Sequence, residues 1–289
     1  MRAKEWQKQG QYIKYGHHNI FMREGGKGET LVLIHGFPTS SYDWYKVWDV
    51  LIHRFHVIAI DMIGFGYSDK PINHQYSLFD QADLWESVLE ERKVTEYHIL
   101  AHDYGDTVAQ ELLARQLESP KNSFLKKEIL SVCFLNGGII PDEHRPRLIQ
   151  TLLMSPIGKW IGKLSSKRTL RNTFRNIFGK NTQPTDDEID DFWMMMNYNN
   201  GKNVIHKVIW YMSERRKHKA RWIEAIQKNL IPILMINGPD DPISGRSSAE
   251  MFKKLVPHAD LKYLEGIGHY PQVEDPLGVL ESFLKSLHT

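Results

Sequence analysis

The feature that most constrains the fold is a series of short, almost continuously apolar runs. They lie at residues 30–34, 56–60, 97–101, 129–135 and 231–236, with a weaker candidate at 260–264. Strands that are buried on both faces of a parallel sheet have this composition. Helix-like patterns alternate with these runs, at 77–91, 107–117 and 276–287. The alternation predicts an α/β fold with a mostly parallel central sheet flanked by helices.

The alternation breaks between about residues 140 and 227. This segment has no clear strand pattern and contains helix-like stretches at 147–153, 186–196 and 203–217. We therefore predict a helical insert at 140–227, within a core formed by residues 1–139 and 228–289. The basic stretch 214–221 of the insert predicts a solvated helix face, because no phosphate-binding glycines surround it.

Charge and cysteine content exclude several classes of function. The 289-residue chain carries 37 basic and 35 acidic side chains, and its net charge of +2 creates no strong field for nucleic acid or an anionic membrane. Its single cysteine, Cys133, excludes an internal disulfide and a cysteine-based zinc site. The histidines lack metal-ligand spacing, and no signal peptide or bilayer-spanning run is evident. We expect a cytoplasmic protein without metal or cofactor, either a monomer or a homodimer.

One short stretch, residues 99–113, runs from a strand pattern through a tight turn into a helix pattern. Asp103 stands at the turn, with Ala101 and Gly105 two residues away on either side. A strand, a nucleophile between small neighbours and a helix form the pattern of a nucleophile elbow, whose tight turn requires small neighbours. The helix N-terminus favours negative charge at that point. Asp103 is therefore the predicted nucleophile, with a simple helix N-cap as the alternative.

A second motif, residues 33–41, follows the first apolar run and contains a His-Gly turn. In this architecture such a turn contributes a backbone N–H to an oxyanion hole. The N–H of Phe37 is the candidate donor from this turn. The N–H of Tyr104, which follows Asp103, is the candidate second donor.

Two further motifs follow later apolar runs and supply an acid and a histidine. The stretch 237–243 contains adjacent carboxylates, Asp240 and Asp241, and the stretch 266–274 carries His269 on a glycine-bounded loop. Nucleophile, acid and histidine then occur along the chain in the order of the α/β-hydrolases. The acid can be either carboxylate on this reasoning alone.

Together these motifs resemble the α/β-hydrolase fold family, in the branch with an aspartate nucleophile that includes epoxide hydrolases and haloalkane dehalogenases. The similar stretches are 35–44, 61–71, 102–105 and 268–272, and a narrower likeness to one relative rests on 35–45, 102–113, 136–139 and 144–146. The resemblance implies that the insert is a helical cap over the active site. The family spacing Gly-x-x-Asp, counted from Gly238, selects Asp241 as the acid. Asn136 occupies the place where some dehalogenases carry that acid.

A carboxylate nucleophile implies a two-step reaction. Aspartate has an unperturbed pKa of about 3.9, so it is ionised at neutral pH and attacks an sp³ carbon without proton transfer. The product is an alkyl ester on Asp103, whose carbonyl is then attacked by a water that His269 activates. Asp241 orients His269 and stabilises its charged form. The predicted partners are a small apolar substrate and water.

The leaving group separates the two chemistries of this branch. Dehalogenases typically place a tryptophan beside the nucleophile, and Tyr104 and Phe37 at the corresponding positions count against halide binding. Epoxide hydrolases also usually have a tryptophan beside the nucleophile, so Tyr104 departs from both patterns. They carry tyrosines in the cap, and Tyr211 is the candidate acid, with aromatic packing as the alternative. His35 and Trp44 are further candidates for substrate binding, with structural roles as the alternative. We predict epoxide hydrolysis; dehalogenation and a non-catalytic ligand- or protein-binding scaffold are the alternatives.

Overall fold

A single eight-stranded sheet forms the centre of the computed structural model, which describes residues 1–119, 127–141 and 147–287. Its strands are β1 (Gln11–Tyr15), β2 (His18–Gly25), β3 (Thr30–Ile34), β4 (His56–Ile60), β5 (Glu96–His102), β6 (Glu128–Leu135), β7 (Ile233–Asn237) and β8 (Asp260–Tyr263). They lie in the order β1-β2-β4-β3-β5-β6-β7-β8. Strand β2 pairs antiparallel with β1 and β4, and the pairings from β4 through β8 are parallel.

The six strands predicted from apolar runs are confirmed, and one hairpin was not predicted. Strand β7 begins after Pro232 rather than at residue 231, because proline has no N–H to donate to the sheet. The unpredicted hairpin β1–β2 turns at Gly16, whose φ of 57° suits glycine. In β1 only Ile13 is buried, so this edge strand lacks the apolar run of a central strand.

Side chains from the parallel strands pack on both faces of the sheet. In β3, Val32 and Ile34 belong to the hydrophobic cluster on one face, whereas Leu31 and Leu33 belong to the cluster on the other. Successive side chains of a strand point to opposite faces, so a strand covered on both sides must be apolar at every position. The sheet therefore forms the middle layer, and the carboxyl ends of its parallel strands meet along one edge.

Helices cover both faces of the sheet. Those before β6 and after β7 are α1 (Ala3–Lys8), α2 (Trp48–Ile52), α3 (Leu78–Glu91), α4 (Tyr104–Glu118), α12 (Arg246–Leu255), α13 (Pro271–Glu274) and α14 (Pro276–Ser286). Ser77 caps the N-terminus of α3, and its hydroxyl oxygen accepts a hydrogen bond from the N–H of Asp80. Helix α4 continues directly from β5, which makes it the helix of the predicted elbow.

Between β6 and β7 the described chain forms helices and the turns that connect them, and it contains no strand. Its helices are α5 (Leu148–Leu153), α6 (Gly158–Leu164), α7 (Lys167–Ile177), α8 (Asp186–Asn197), α9 (Ile205–Val208), α10 (Tyr211–Lys217) and α11 (Lys219–Lys228). We refer to residues 147–228 as the helical insert; residues 142–146 of the predicted insert lie outside the described residues. Among the helices of the described ranges, none combines the length and apolarity that a bilayer crossing requires.

Candidate active site

The turn between β5 and α4 has the strained backbone that the elbow motif predicts. Asp103 adopts φ 47° and ψ −101°, in the positive-φ region that non-glycine residues rarely occupy. A Cβ on Gly105 would lie 2.3 Å from the carbonyl oxygen of Ile34. Glycine is therefore needed at that position because the first turn of α4 presses against the end of β3. This close packing presents the side chain of Asp103 at the carboxyl edge of the sheet.

The carboxylate of Asp103 meets one of the two predicted oxyanion-hole donors. The backbone N–H of Phe37 donates to its Oδ2 at 3.1 Å. Tyr104 is the first residue of α4, and its ring is buried against Phe65 and Tyr211. The fold thus brings Phe37, from the loop after β3, to the nucleophile candidate. The role of the Tyr104 N–H stays a prediction.

His269 and Asp241 lie together at the same edge, on the loops after β8 and β7. Nδ1–H of His269 donates to Oδ2 of Asp241 at 2.7 Å, and both side chains are buried. Asp240, the other carboxylate of the motif, is exposed to solvent. The backbone N–H of His269 donates to the carbonyl of Ile177 at 2.8 Å, which anchors the histidine loop on the helical insert.

The surroundings of His269 and Asp241 favour the state in which both side chains are charged. Burial lowers the pKa of His269, but the negative charge of Asp241 and the hydrogen bond to it raise that pKa to a greater extent. The charge of Asp103 adds to the upward shift. Burial raises the pKa of Asp241, and the His269 charge and several donors outweigh that effect and lower it. The hydrogen bond to Asp241 fixes the tautomer of the neutral imidazole, and the carboxylate stabilises the imidazole when it becomes protonated.

Asn136 and Ser244 hold the carboxylate of Asp241 in place, and the sequence reasoning assigned neither of them this function. The amide Nδ2 of Asn136 donates to Oδ2 of Asp241 at 3.0 Å. The hydroxyl of Ser244 donates to the same oxygen at 2.7 Å, and the N–H of Ile243 donates to Oδ1 at 2.8 Å. Asn136 directly follows β6 at φ 38°, a conformation that asparagine tolerates. Its place at a strand end was the available signal.

His102, the last residue of β5, lies beneath the elbow. Its Nε2–H donates to the backbone carbonyl of His269 at 2.8 Å, so it joins the nucleophile strand to the histidine loop. Burial and the positive charge of His269 lower the pKa of His102 to about 3. A neutral, fully buried imidazole with this contact has a structural role.

Arg215 is a site residue that sequence reasoning placed wrongly. The stretch 214–221 was predicted to be a solvated face, yet the Arg215 side chain is only 3% exposed. Its Nε–H donates to the Thr107 hydroxyl and its Nη2–H to the backbone carbonyl of Asp103, both at 2.6 Å. The guanidinium also lies over the Tyr211 ring, 4.6 Å from the centroid. The spacing of Arg215 from Tyr211, four residues along a helix, was the signal that both face inward.

Tyr211 lies in α10 beside the site but not on the cavity wall. Its ring centroid is 4.8 Å from that of Tyr104 and 5.6 Å from that of Phe37. Among the described residues, its buried hydroxyl has no hydrogen-bond partner. Burial and the nearby charge of Asp103 raise the pKa of Tyr211, which keeps the hydroxyl protonated. It packs against Phe37, a residue that does line the cavity.

His35 and Trp44, predicted as substrate-binding candidates, are not brought to the cavity wall. The Nδ1–H of His35 donates to the carbonyl of Gly36 at 2.8 Å, and its Nε2 accepts the N–H of Met62 at 3.1 Å. Burial lowers the pKa of His35, which is fully enclosed. Trp44 is equally buried within a hydrophobic cluster. Both positions match the structural alternative because neither side chain faces open space.

A cavity of about 260 Å³ separates the core from the helical insert. Asp103, His269 and Phe37 face it from the core. The insert contributes mainly apolar side chains, among them Ile149, Leu153, Ile161, Leu170, Phe174, Trp193 and Met196. A charged carboxylate and a histidine on the wall of an apolar cavity suit chemistry on a small apolar substrate. Within the described ranges, no cluster of three or more histidine, cysteine or acidic side chains is arranged to hold a metal ion.

Comparison with known sequences identifies close relatives. A family model described as the alpha/beta hydrolase fold matches residues 29–276. The mesoderm-specific transcript protein of Mus musculus is 41% identical, over 96% of this chain and 86% of that protein. It is the relative to which the narrower likeness in the sequence pointed. One of the stretches behind that likeness, 144–146, lies outside the described residues.

Two solved structures share the architecture. The epoxide hydrolase CorEH, solved without ligand, matches with a TM-score of 0.79 and 18% identity, covering 96% of this chain and 98% of that one. A loop variant, DbeA-M1, of a haloalkane dehalogenase from Bradyrhizobium elkanii matches with a TM-score of 0.80 and 19% identity, covering 96% of each chain. At such identities the likeness concerns the fold alone, and the predicted α/β-hydrolase fold is confirmed.

Proposed function

The chain belongs to the alpha/beta hydrolase fold family, and on that premise we propose that it hydrolyses small apolar epoxides through a covalent ester on Asp103. The observation that carries the proposal is the Asp103 carboxylate on the wall of an apolar cavity that His269 also lines. We further propose that the helical insert acts as the cap, since its side chains form most of the cavity wall.

In the first step, a carboxylate oxygen of Asp103 attacks one ring carbon of the epoxide, and the bond from that carbon to the ring oxygen breaks. The released oxygen takes the hydroxyl proton of Tyr211, which leaves a hydroxyalkyl ester on Asp103 and a tyrosinate. Because Tyr211 packs against Phe37 and does not itself line the cavity, this transfer requires the Phe37 ring to move aside. Two observations support Tyr211 as donor. Burial and the charge of Asp103 raise the pKa of its hydroxyl, and that hydroxyl has no hydrogen-bond partner among the described residues.

In the second step, His269 removes a proton from water, and the resulting hydroxide attacks the ester carbonyl. The N–H of Phe37 stabilises the oxyanion, together with that of Tyr104 as the predicted second donor. The alkoxide that leaves takes the proton from His269 and departs as a diol. The new carboxylic acid of Asp103 returns its proton to the tyrosinate, so water and epoxide are consumed in equal amounts.

The carboxylate explains why a serine is not required at the elbow. A serine hydroxyl needs a base before it attacks, whereas an aspartate is already charged. His269 is then free to serve the second step, and the dense set of donors around Asp241 supports that role by holding the histidine partner. A halide would instead need donors beside Asp103. The Phe37 side chain has no donor, and Tyr104 packs against Phe65 and Tyr211 and does not line the cavity.

The proposal is tested with ¹⁸O-labelled water and a panel of epoxides and haloalkanes. A single turnover should give a diol whose new oxygen is unlabelled, because it comes from Asp103, and repeated turnover should label the Asp103 carboxylate. His269→Gln should accumulate the ester, detectable by mass spectrometry of the peptide that contains Asp103. Direct transfer of label from water to product in the first turnover contradicts the ester. Halide release without diol formation from epoxides favours dehalogenation, and no turnover or adduct with any substrate favours a binding scaffold.

A further inference from the structure

The basic side chains of the helical insert are concentrated in one segment. Residues 147–185 contain eight lysine or arginine residues and no acidic residue, although the whole chain has a net charge of only +2. Two of these cations, Lys167 and Arg171, pair with Asp190 and Asp186 of α8. The others have no ion pair among the described residues. The balanced total charge therefore hides a strongly positive local surface.

Helix α6, in the middle of this segment, exposes large apolar side chains. Ile157, which caps the N-terminus of α6, and Trp160 and Leu164 within it are 52%, 63% and 77% exposed. Their spacing of three and then four residues puts them on one face of the helix. Lys159 and Lys163 are exposed beside them. The opposite face is pressed against the rest of the insert, which leaves this apolar and basic face free.

Close backbone packing fixes the orientation of α6. A Cβ on Gly158 would lie 1.9 Å from the carbonyl oxygen of Leu153, and one on Gly162 would lie 2.9 Å from that of Lys202. Both glycines are buried. Only glycine fits at these two positions, on the side of α6 that contacts the rest of the insert. The opposite side, with Ile157, Trp160 and Leu164, therefore points to solvent.

This surface is continuous with the mouth of the cavity. Leu164 is largely exposed and at the same time lines the cavity that contains Asp103. Arg147, partly exposed, also lines the cavity, and Leu148 beside it in α5 is 75% exposed. Leu164 and Arg147 therefore belong both to the outer surface and to the wall of the cavity that contains the candidate nucleophile. We call Leu148, Ile157, Lys159, Trp160, Lys163 and Leu164 the α5–α6 surface.

We propose that the α5–α6 surface docks the protein on the face of a lipid bilayer that contains anionic lipids. Tryptophan and leucine side chains insert at the boundary between headgroups and acyl chains, and flanking lysines bind the anionic headgroups. A second copy of the chain fits this surface poorly, because a symmetric contact would bring the same unpaired lysines together. Net charge alone predicted that the protein has no membrane partner. Our proposal replaces that prediction with binding to a membrane surface.

Vesicle sedimentation of the full chain tests the proposal without any turnover, so the result is independent of the proposed chemistry of Asp103. The protein should bind phosphatidylcholine vesicles that contain about 30% phosphatidylglycerol, and binding should weaken with salt and be much weaker to phosphatidylcholine alone. Lys159→Glu with Lys163→Glu, or Ile157→Ser with Trp160→Ser, should weaken binding at least about tenfold.

Matched controls change the same kinds of side chain elsewhere. Lys27→Glu with Lys254→Glu alters two exposed lysines of the core, and Leu117→Ser with Leu277→Ser alters two exposed leucines of α4 and α14. Both should bind vesicles as the unaltered protein does. Equal binding by the α5–α6 variants and the controls overturns the proposal. So does an unaltered protein that ignores anionic vesicles, or that uses this surface to self-associate or to bind another protein instead.

Discussion

Arg215 donates a hydrogen bond from Nη2 to the backbone carbonyl oxygen of Asp103 at 2.6 Å, and the same nitrogen lies 3.6 Å from the Asp103 carboxylate. This arginine therefore contacts both the strained backbone and the charge of the proposed nucleophile. It reaches the elbow from α10 of the helical insert, so the insert and the elbow are linked by a buried cation. The buried guanidinium is held there by the polar groups of the elbow, among them the hydroxyl of Thr107.

Replacement of Arg215 should impair both folding stability and ester formation. Arg215→Met should lower the free energy of unfolding by about 3 kcal/mol, since it removes a buried guanidinium together with its hydrogen bonds to Thr107 and Asp103. Ester formation should slow at least about tenfold, because the carbonyl of Asp103 loses its donor. Denaturant unfolding and single-turnover kinetics measure the two effects. Arg216→Met, at an exposed neighbour, should change neither; equal effects at both positions would contradict the role of Arg215.

Removal of the Tyr211 hydroxyl distinguishes between two roles for this residue, proton donor and packing residue. A buried hydroxyl without a partner contributes little to stability, so Tyr211→Phe should leave the melting temperature unchanged or raised. If Tyr211 supplies the proton, ester formation from an epoxide should slow at least about tenfold, while hydrolysis of a preformed ester changes little. A fully active Tyr211→Phe enzyme would assign the residue to packing alone.

Removal of the Asn136 amide should affect the second step selectively. Asn136→Ala takes away a donor to the buried carboxylate of Asp241, with an expected cost of about 1–3 kcal/mol. His269 is then held less firmly, so the ester on Asp103 should persist longer while the rate of its formation is preserved. Stopped-flow mixing followed by mass spectrometry measures both rates. A variant in which only ester formation slows would argue against this role for Asn136.

The raised pKa of His269 sets the expected pH dependence. Hydrolysis of the ester needs neutral imidazole as base, so its rate should increase as the pH rises through the pKa of His269. Asp241 raises that pKa, and Asp241→Asn should therefore shift the rising limb to lower pH and reduce its plateau. Ester formation on Asp103 should not show this limb. Single-turnover rates across pH test both statements, and an unshifted limb in Asp241→Asn contradicts them.

The close packing of the elbow predicts that adding a single methyl group at Gly105 lowers the stability of the protein. A Cβ at position 105 would come 2.3 Å from the carbonyl of Ile34, so Gly105→Ala should destabilise the protein by at least about 2 kcal/mol. In an ordinary helix position the preference is reversed, and Ala114→Gly in the same helix should cost about 1 kcal/mol. Thermal unfolding compares the two. A neutral or stabilising Gly105→Ala change would show that the elbow is not tightly packed.

Strands and motifs were predictable to the extent that their signals are local. Strands β3 to β7 were found because burial on both faces requires an apolar residue at every position. Strand β8 has no buried residue, and its sequence signal was correspondingly weaker. The hairpin β1–β2 was missed because an edge strand with one buried side chain does not carry that pattern. The strained turn at Asp103 was predictable because a tight turn requires small residues at fixed neighbouring positions.

Contacts across long chain separations were not predictable in the same way. Arg215 meets Asp103 across 112 positions, and Asn136 meets Asp241 across 105. An arginine on a helix is commonly exposed to solvent, and an asparagine after a strand is commonly an ordinary loop residue. Residue type alone therefore did not indicate that Arg215 and Asn136 lie in the site. Their roles depend on the rotation of α10 and on the edge where β6 and β7 end side by side. His35 and Trp44 show the reverse case, because proximity in sequence to the oxyanion turn did not bring them to the cavity.

The sequence by itself determined the layered α/β architecture, the strained corner at residue 103 and the order in which acid and histidine follow it, since each depends on sterics or burial within a few neighbouring residues. Only the tertiary structure decided which charges surround that corner and which face of the insert remains open to solvent. The physical reason is that hydrogen bonds and ion pairs act over a few ångströms in space. The residues that come so close are chosen by how whole helices pack, and a local pattern does not encode that choice.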